Sequence, residues 1–418
     1  MAESSEMRHS ADAYRSWLQQ QAAATDLPRI RESLTWWLSC CLTGHGRLNA
    51  DDLRVVVGDA AADLGERAIA IPQAAFPPST TAVGWRLTDH PMIGADIGGA
   101  VLFGNGLALL EGRLYADCFR SCPAAWIDIG WFAYPETIGF CDFDISNRSC
   151  TLRDYKRWPV RACNPDDAYF FFNSNYGAEN FGHFLHDTLA QLVAYDHFSV
   201  LRGRRLKPIL SARLKYPMQR YLFERLIGPL DNALYLEDGP VRPAACFSAT
   251  NAMYQVEEGL LSLSAMRTLR HRLGGLRGVG TGKGKTGRKL FISRADASNR
   301  FDRSFDNDDE VEALFVKSGF EPVVTSGLDP AETIEKFAEC SVIAGVHGAG
   351  LLNGLFSQRQ VRLVELIDYP GSWTSIHMVY SACGLQAKRI PSLAPTPESG
   401  GLAWFDLATI EKALSEIG

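Results

Sequence analysis

What this sequence lacks narrows its class first. It has no apolar run long enough to cross a bilayer. The richest early stretch, LTWWLSCCLTG, falls short of the roughly 20 residues a spanning helix needs and reads as a buried helix. It has no excess of positive charge: 42 lysines and arginines face 48 acids, for a net charge of -6, which argues against a dedicated nucleic-acid binder. Its ten cysteines form no metal framework. Cys118 and Cys122 are a lone close pair, and the adjacent Cys40 and Cys41 cannot easily bridge. The start, MAESSEMRHSADAYR, is polar and lacks the apolar core of a secretory signal. The expectation is a soluble protein of a reducing, cytoplasmic compartment, with peripheral membrane contact available to an exposed Trp36–Trp37 pair.

A strict phosphate loop is missing too. GVGTGKGKT over residues 278–286 ends in Gly284-Lys285-Thr286, but the first glycine that the pattern needs falls on Val279. The stretch also follows a helix-like segment, SAMRTLRHRL, and enters a strand, whereas phosphate loops leave a strand and open a helix. It reads instead as a basic, glycine-rich linker over 274–288. A chain of 418 residues exceeds what one core usually serves, so the linker marks a boundary between two units.

What is present after the linker is regular. RKLFISR, FEPVVT, SVIAGV, VRLVELI and QAKRI read as strands. NDDEVEALFVKSG, DPAETIEKFAEC, GAGLLNGLF and SWTSIHMVYSACG read as helices between them, with Asn307 as a cap and Gly319 as a stop. Alternation of this kind predicts a doubly wound α/β domain of Rossmann type over 289–395, followed by a tail or helix over 396–418. A weaker alternation from Trp158 to Pro243 predicts a second, smaller α/β unit within 1–273. Residues up to about 155 read as irregular and β-rich. Two Rossmann-type domains facing a cleft would place a ligand between them.

Three clusters carry chemistry. In AGVHGAGLLNGLF, a strand ends at Val346, then His347, Gly348, Ala349 and Gly350 lead into a helix that includes Asn353. Free amides at such a turn bind phosphate. In ENFGHFLHDTLAQL, His183 and Asp187 share a helix face, and His186 lies near enough to join them. A histidine beside a carboxylate can serve as a general base or can hold a phosphate, and either residue of the pair can be the base. No third zinc ligand is evident there, so no metal site is expected. In FISRADASNRFDRSFDNDDE, Arg294, Arg300 and Arg303 lie in the loop after a strand, where arginine clamps phosphate. A further Asp-x-Asp triplet, Asp142–Asp144, sits in a region without Rossmann-like alternation.

Together the SR…R…NDDEV stretch, GVHGAGLLN…F…VEL and the upstream N-x-x-H-x-x-x-D resemble glycosyltransferase family 61 over roughly residues 165–395. The resemblance implies an inverting, metal-independent enzyme of the two-Rossmann, GT-B-like architecture. It would transfer a sugar from a nucleotide-sugar donor to a glycan or lipid-linked glycan acceptor, as in surface polysaccharide biosynthesis. Carried over by position, Arg294, Asn307, His347, Gly348, Ala349, Gly350, Asn353 and Glu365 fall on the donor side, with Arg300 or Arg303 as the second arginine. Asp308 stands where the family commonly has glutamate, and Val346 where proline is frequent. His183 and Asp187 match the amino-domain helix. On this reading Glu365 would sit at a rim and accept ribose hydroxyls. A nucleotide-sugar-binding protein without turnover and a two-Rossmann sugar-nucleotide epimerase are the alternatives.

Overall fold

A computed structural model describes residues 50–51, 53–57, 64–72, 79–80, 86–89, 91–104, 106–115, 141–144, 149–173, 177–178, 180–253, 260–276, 287–294, 305–367, 375–394 and 403–416. Trp36–Trp37, most of the glycine-rich linker, Arg300 and Arg303 lie outside the described residues.

The first parallel sheet is built from β1 (Ala168–Phe172), β2 (Lys207–Leu210), β3 (Leu234–Tyr235) and β4 (Ala245–Ala249). These strands lie in the order β3-β2-β1-β4, and antiparallel strands Ile93–Asp96 and Ala68–Ala70 extend the β4 edge. AYFFF is buried at every position because both faces of β1 are covered. Phe170 and Phe172 face the helices, while Tyr169 and Phe171 face an amino-terminal layer. Burying each such ring contributes about 2–3 kcal/mol.

Between β1 and β2 the chain passes through one helical run of changing pitch. A short turn, α1 (Phe181–His183), passes into a π-helical turn (Phe184–Thr188), a 3-10 turn (Leu189–Gln191) and the regular helix α2 (Leu192–Leu201). Helix α3 (Pro217–Leu226) joins β2 to β3, and α4 (Leu263–Gly274) leads away from the first sheet. Ser262 caps α4 by accepting from the Ala265 amide at 3.3 Å.

The second sheet contains β5 (Arg288–Ile292), β6 (Glu321–Val323), β7 (Cys340–Val346), β8 (Arg362–Ile367) and β9 (Gln386–Pro391). All are parallel, in the order β6-β5-β7-β8-β9. The intervening helices are α5 (Asp308–Lys317), α6 (Pro330–Ala338) and α7 (Ser375–Ala382). Asp329 caps α6 through the Ala331 and Glu332 amides, and Pro330 begins it, as the Asp-Pro pair predicts. GAGLLNGLF forms a 3-10 helix (Ala349–Phe356), tighter than the α-helix its composition predicts. A last helix, α8 (Leu407–Ser415), packs Ile410, Ala413 and Leu414 into the core of this sheet, so the carboxyl-terminal segment is part of the second unit.

One hydrophobic cluster runs through both sheets, joining Phe170, Leu210 and Ala249 of the first to Leu290, Ile343 and Leu363 of the second. The β-rich reading of the amino-terminal part is met by an eight-stranded sheet. Its edge strand, Cys141–Asp144, carries the Asp-x-Asp triplet and pairs antiparallel with Ser149–Leu152. The triplet therefore lies in this sheet and not at the carboxyl end of a parallel strand.

Candidate active site

In an open parallel sheet, a crevice forms where the strand order reverses, at the carboxyl ends of the two strands that flank the reversal. The first sheet reverses between β1 and β4, and the second between β5 and β7. The segment with His183 follows β1, Arg294 follows β5, and His347 follows β7. All three clusters read from the sequence thus leave a switch-point strand.

The histidine helix is held from both ends. Asn180 accepts from the Gly182 amide at 2.8 Å and the His183 amide at 3.3 Å, which starts the helix. The fully buried Gln191 donates to the Asn173 carbonyl at 2.8 Å and to the Asp187 carbonyl at 2.9 Å, and accepts from the Asn173 amide at 3.3 Å. This side chain ties the end of β1 to the π-helical turn. Within that turn, Asp187 Oδ2 meets His183 Nδ1 at 2.7 Å, and Oδ1 meets His186 Nδ1 at 2.7 Å. Burial alone would raise the Asp187 pKa, but the two histidines outweigh it and hold the carboxyl well below its usual range. His183 is the reachable member, with 37% of its side chain exposed against 10% for Asp187 and 7% for His186. Ligating atoms of the three lie within 4.8 Å of one another, so His186 joins the pair, as its spacing allows, and makes a third potential metal ligand. In the present arrangement both Asp187 oxygens are taken up by the imidazoles.

The second cluster is built around a carboxylate too. Strand register sets Glu365 beside Gly345 on one side and Arg389 on the other. Gly345 has φ +156, and a side chain there would press on Ile292 at 3.1 Å. Two residues later the His347 amide donates to the Leu366 carbonyl at 2.7 Å, and its Nδ1 lies 2.5 Å from Glu365 Oε1. The other Glu365 oxygen lies 3.3 Å from Arg389 Nε and 3.8 Å from His377 Nδ1. Glu365 and His377 are fully buried. Burial first, then the charges of Arg389 and His347, pushes the His377 pKa down to about 3, so this ring is neutral. The expectation of Glu365 at a solvent rim is corrected: it sits behind His347, inaccessible to a ribose, because its own strand and β9 enclose it. Arg389 and His377 were missed in the sequence because neither lies in a recognisable motif.

Other residues read as donor contacts are engaged in structure. Asn307 donates to the Phe405 carbonyl at 2.8 Å and accepts from its amide at 2.9 Å, a two-bond staple for the carboxyl-terminal segment. Its side chain does not cap α5. Asp308 accepts from the Phe305 amide at 3.3 Å. Asn353 is buried and donates to the Gly350 carbonyl at 3.0 Å, stitching the turn from inside. Gly350 leaves no spare room, since a side chain there would meet Ile292 at 3.1 Å. Arg294 is half-buried beside Ser293, whose hydroxyl donates to Glu312 at 2.7 Å.

The segments that carry the two histidine clusters meet at Gly182. A methyl group placed on Gly182 would lie 3.6 Å from both Ala349 and Leu352, so the start of the His183 helix rests on the 3-10 helix after His347. One chain corner thus combines a reachable imidazole backed by a carboxylate, a second imidazole backed by another, and the glycine turn that follows His347. No curated protein matches the chain. Residues 181–364 match the family model described as Glycosyltransferase 61, beginning at the first residue of α1 and ending one residue before Glu365. Through this segment, which carries His183, Asp187, Arg294 and the His347 turn, the chain is similar to glycosyltransferase family 61.

Proposed function

We propose that this chain is a glycosyltransferase that moves a sugar from a nucleotide-sugar donor to a hydroxyl of a glycan or lipid-linked glycan, with inversion and without a metal. The observation that carries the reading is the contact between the two switch-point clusters, one suited to take a proton and the other to receive a departing diphosphate. It treats the two parallel sheets as the halves of a GT-B-type enzyme. Surface polysaccharide assembly at the cytoplasmic side of a membrane is the setting such a reaction suits.

The acceptor hydroxyl gives its proton to His183 Nε2, and its oxygen bonds to the anomeric carbon from the face opposite the leaving group. The bond from that carbon to the diphosphate breaks, and the electron pair leaves with the phosphate oxygen. His183 is the base because its ring is reachable, while Asp187 is buried, accepts from two rings and is a poor proton acceptor. Asp187 then offsets the positive charge that His183 gains. On the opposite side, Arg294, His347 and the amides around Gly348, Ala349 and Gly350 meet the charge that develops on the diphosphate. Glu365 bonds to His347 Nδ1 and so directs Nε2 outward to the donor.

The test is a melting-temperature panel of nucleoside diphosphates and their sugars, followed by transfer assays. A ligand at 100 times its Kd stabilises by about 2.7 kcal/mol. His347→Ala and Arg294→Ala are expected to lose both the shift and turnover. His183→Ala is expected to keep the shift and to lose about 100-fold or more in kcat. Full turnover in His183→Ala removes it as the base. Activity abolished by EDTA and restored by Mn²⁺ would replace the cationic side chains with a metal.

A further inference from the structure

Three side chains with metal-ligating atoms converge on one turn of the His183 helix, and the proposed transfer needs only one of them as a base. His183, His186 and Asp187 have ligating atoms within 4.8 Å of one another. Each imidazole Nδ1 lies 2.7 Å from its own oxygen of the Asp187 carboxylate, and the ring centroids are 4.9 Å apart. Residues three and four apart on a helix share a face, which sets His186 and Asp187 beside His183. The π-helical turn Phe184–Thr188, an uncommon conformation that recurs at functional sites, carries these two. Its backbone is held by other groups: Asn180 caps the helix start, and the buried Gln191 ties the Asp187 carbonyl to the end of β1. Rotation of three side chains is therefore enough to change what they hold. Two imidazoles and one carboxylate are a nitrogen-rich set that suits zinc, whereas magnesium and calcium take oxygen. Zinc binds such ligands at about 2.0–2.2 Å, and three of them leave a fourth position open. Resting on the reading of His183 as the base, we infer that His183, His186 and Asp187 bind one Zn²⁺ and that this ion inhibits the transfer.

Access is from the side of His183, which has 37% of its side chain exposed, against 7% for His186 and 10% for Asp187. The inhibition follows from the tautomer. A neutral imidazole has one N–H and one lone pair, so a ring that ligates zinc through Nδ1 carries its proton on Nε2. His183 Nε2 then has no lone pair for the proton of the acceptor hydroxyl. Zinc also takes the Asp187 carboxylate, which in the free enzyme offsets the charge that His183 gains. The bond-forming step thus loses its base and its counter-charge together. The His347 turn has a carboxylate of its own, since Nδ1 of that ring bonds to Glu365, so the donor side keeps its partner when zinc is bound.

The experiment is a calorimetric titration of the full, EDTA-treated chain with ZnCl₂, without substrate, for the parent protein, His183→Ala, His186→Leu and Asp187→Asn. The parent is expected to bind one ion, and each variant to weaken that binding by at least about 100-fold. Circular dichroism identifies a variant that fails to fold, and His186→Asn replaces His186→Leu in that case. In transfer assays Zn²⁺ should lower kcat of the parent with the donor KM unchanged, and EDTA should restore it. The ratio of turnover with and without zinc, read within His186→Leu itself, should return toward one. The titration needs no turnover, so it judges the metal site even if the chain proves not to transfer sugar. A parent protein that binds no stoichiometric zinc overturns the inference. So does zinc that persists in all three variants, because thiols or other histidines would then hold it. Zinc that raises turnover overturns the inhibition and, separately from the binding result, the metal-free reading of the transfer.

Discussion

At the scale of single residues, this site is organised by two buried carboxylates, each fixing the Nδ1 of an imidazole. Glu365 has the larger structural burden because it also neutralises Arg389. Glu365→Gln should therefore destabilise the fold by about 3 kcal/mol, since it leaves a buried guanidinium without its counter-charge. The shift of a urea unfolding midpoint checks this, and a shift near zero would show that Arg389 is neutralised elsewhere. Residue identity was legible where a motif carried it: His183, Asp187 and His347 all lie at switch points. Residue role was less so. Asn307 and Asn353 look like ligand contacts in a motif, but their amides satisfy backbone groups of the protein itself. Glu365 ends an apolar strand, and only the pairing of that strand with β9 reveals that its carboxylate is enclosed.

At the scale of elements, the alternation of apolar strands with capped helices made the second sheet readable, since every strand there is short and parallel and the central β7 and β8 are buried on both faces. Pitch was not readable. The sequence around His186 has an ordinary helical periodicity, and nothing in it signals five residues of π-helix. Likewise the 3-10 form of Ala349–Phe356 follows from tertiary packing. The Tyr380 hydroxyl donates to the Leu351 carbonyl at 2.6 Å, and a methyl group on Gly354 would stand only 2.1 Å from that hydroxyl oxygen. Gly354→Ala is thus expected to cost about 3 kcal/mol, combining overpacking with a lost hydrogen bond. Gly203→Ala, at φ +63 with open space around it, should cost about 1 kcal/mol. Tyr380→Phe should recover part of the loss in a double variant, measured by denaturant midpoints. Equal losses at Gly354 and Gly203 would mean that the turn yields easily.

At the scale of the whole molecule, the linker suggested two separable units, whereas the described residues share a hydrophobic cluster that crosses from one sheet to the other. Apolar periodicity marks which face of a strand is buried but not which partner covers it. Acid sensitivity is one global consequence of what is buried. His377 has its pKa pushed from 6.5 down to about 3, so below pH 6.5 the unfolded chain takes up a proton that the native chain refuses. Asp187, lowered from its ordinary value, acts with the same sign at more acidic pH. Stability should be greatest above pH 6.5 and fall steadily toward pH 3, and His377→Leu should flatten the upper part of that fall. A melting temperature in the parent protein that does not change between pH 7 and 4 would contradict this. The resting of Gly182 on Ala349 and Leu352 has a mechanical corollary. Jaw-like parting of the two sheets at this seam would wet a continuous apolar surface at about 25 cal/mol per Å². Substrates should enter over a fixed frame, and X-ray scattering should record the same radius of gyration with and without a nucleotide ligand.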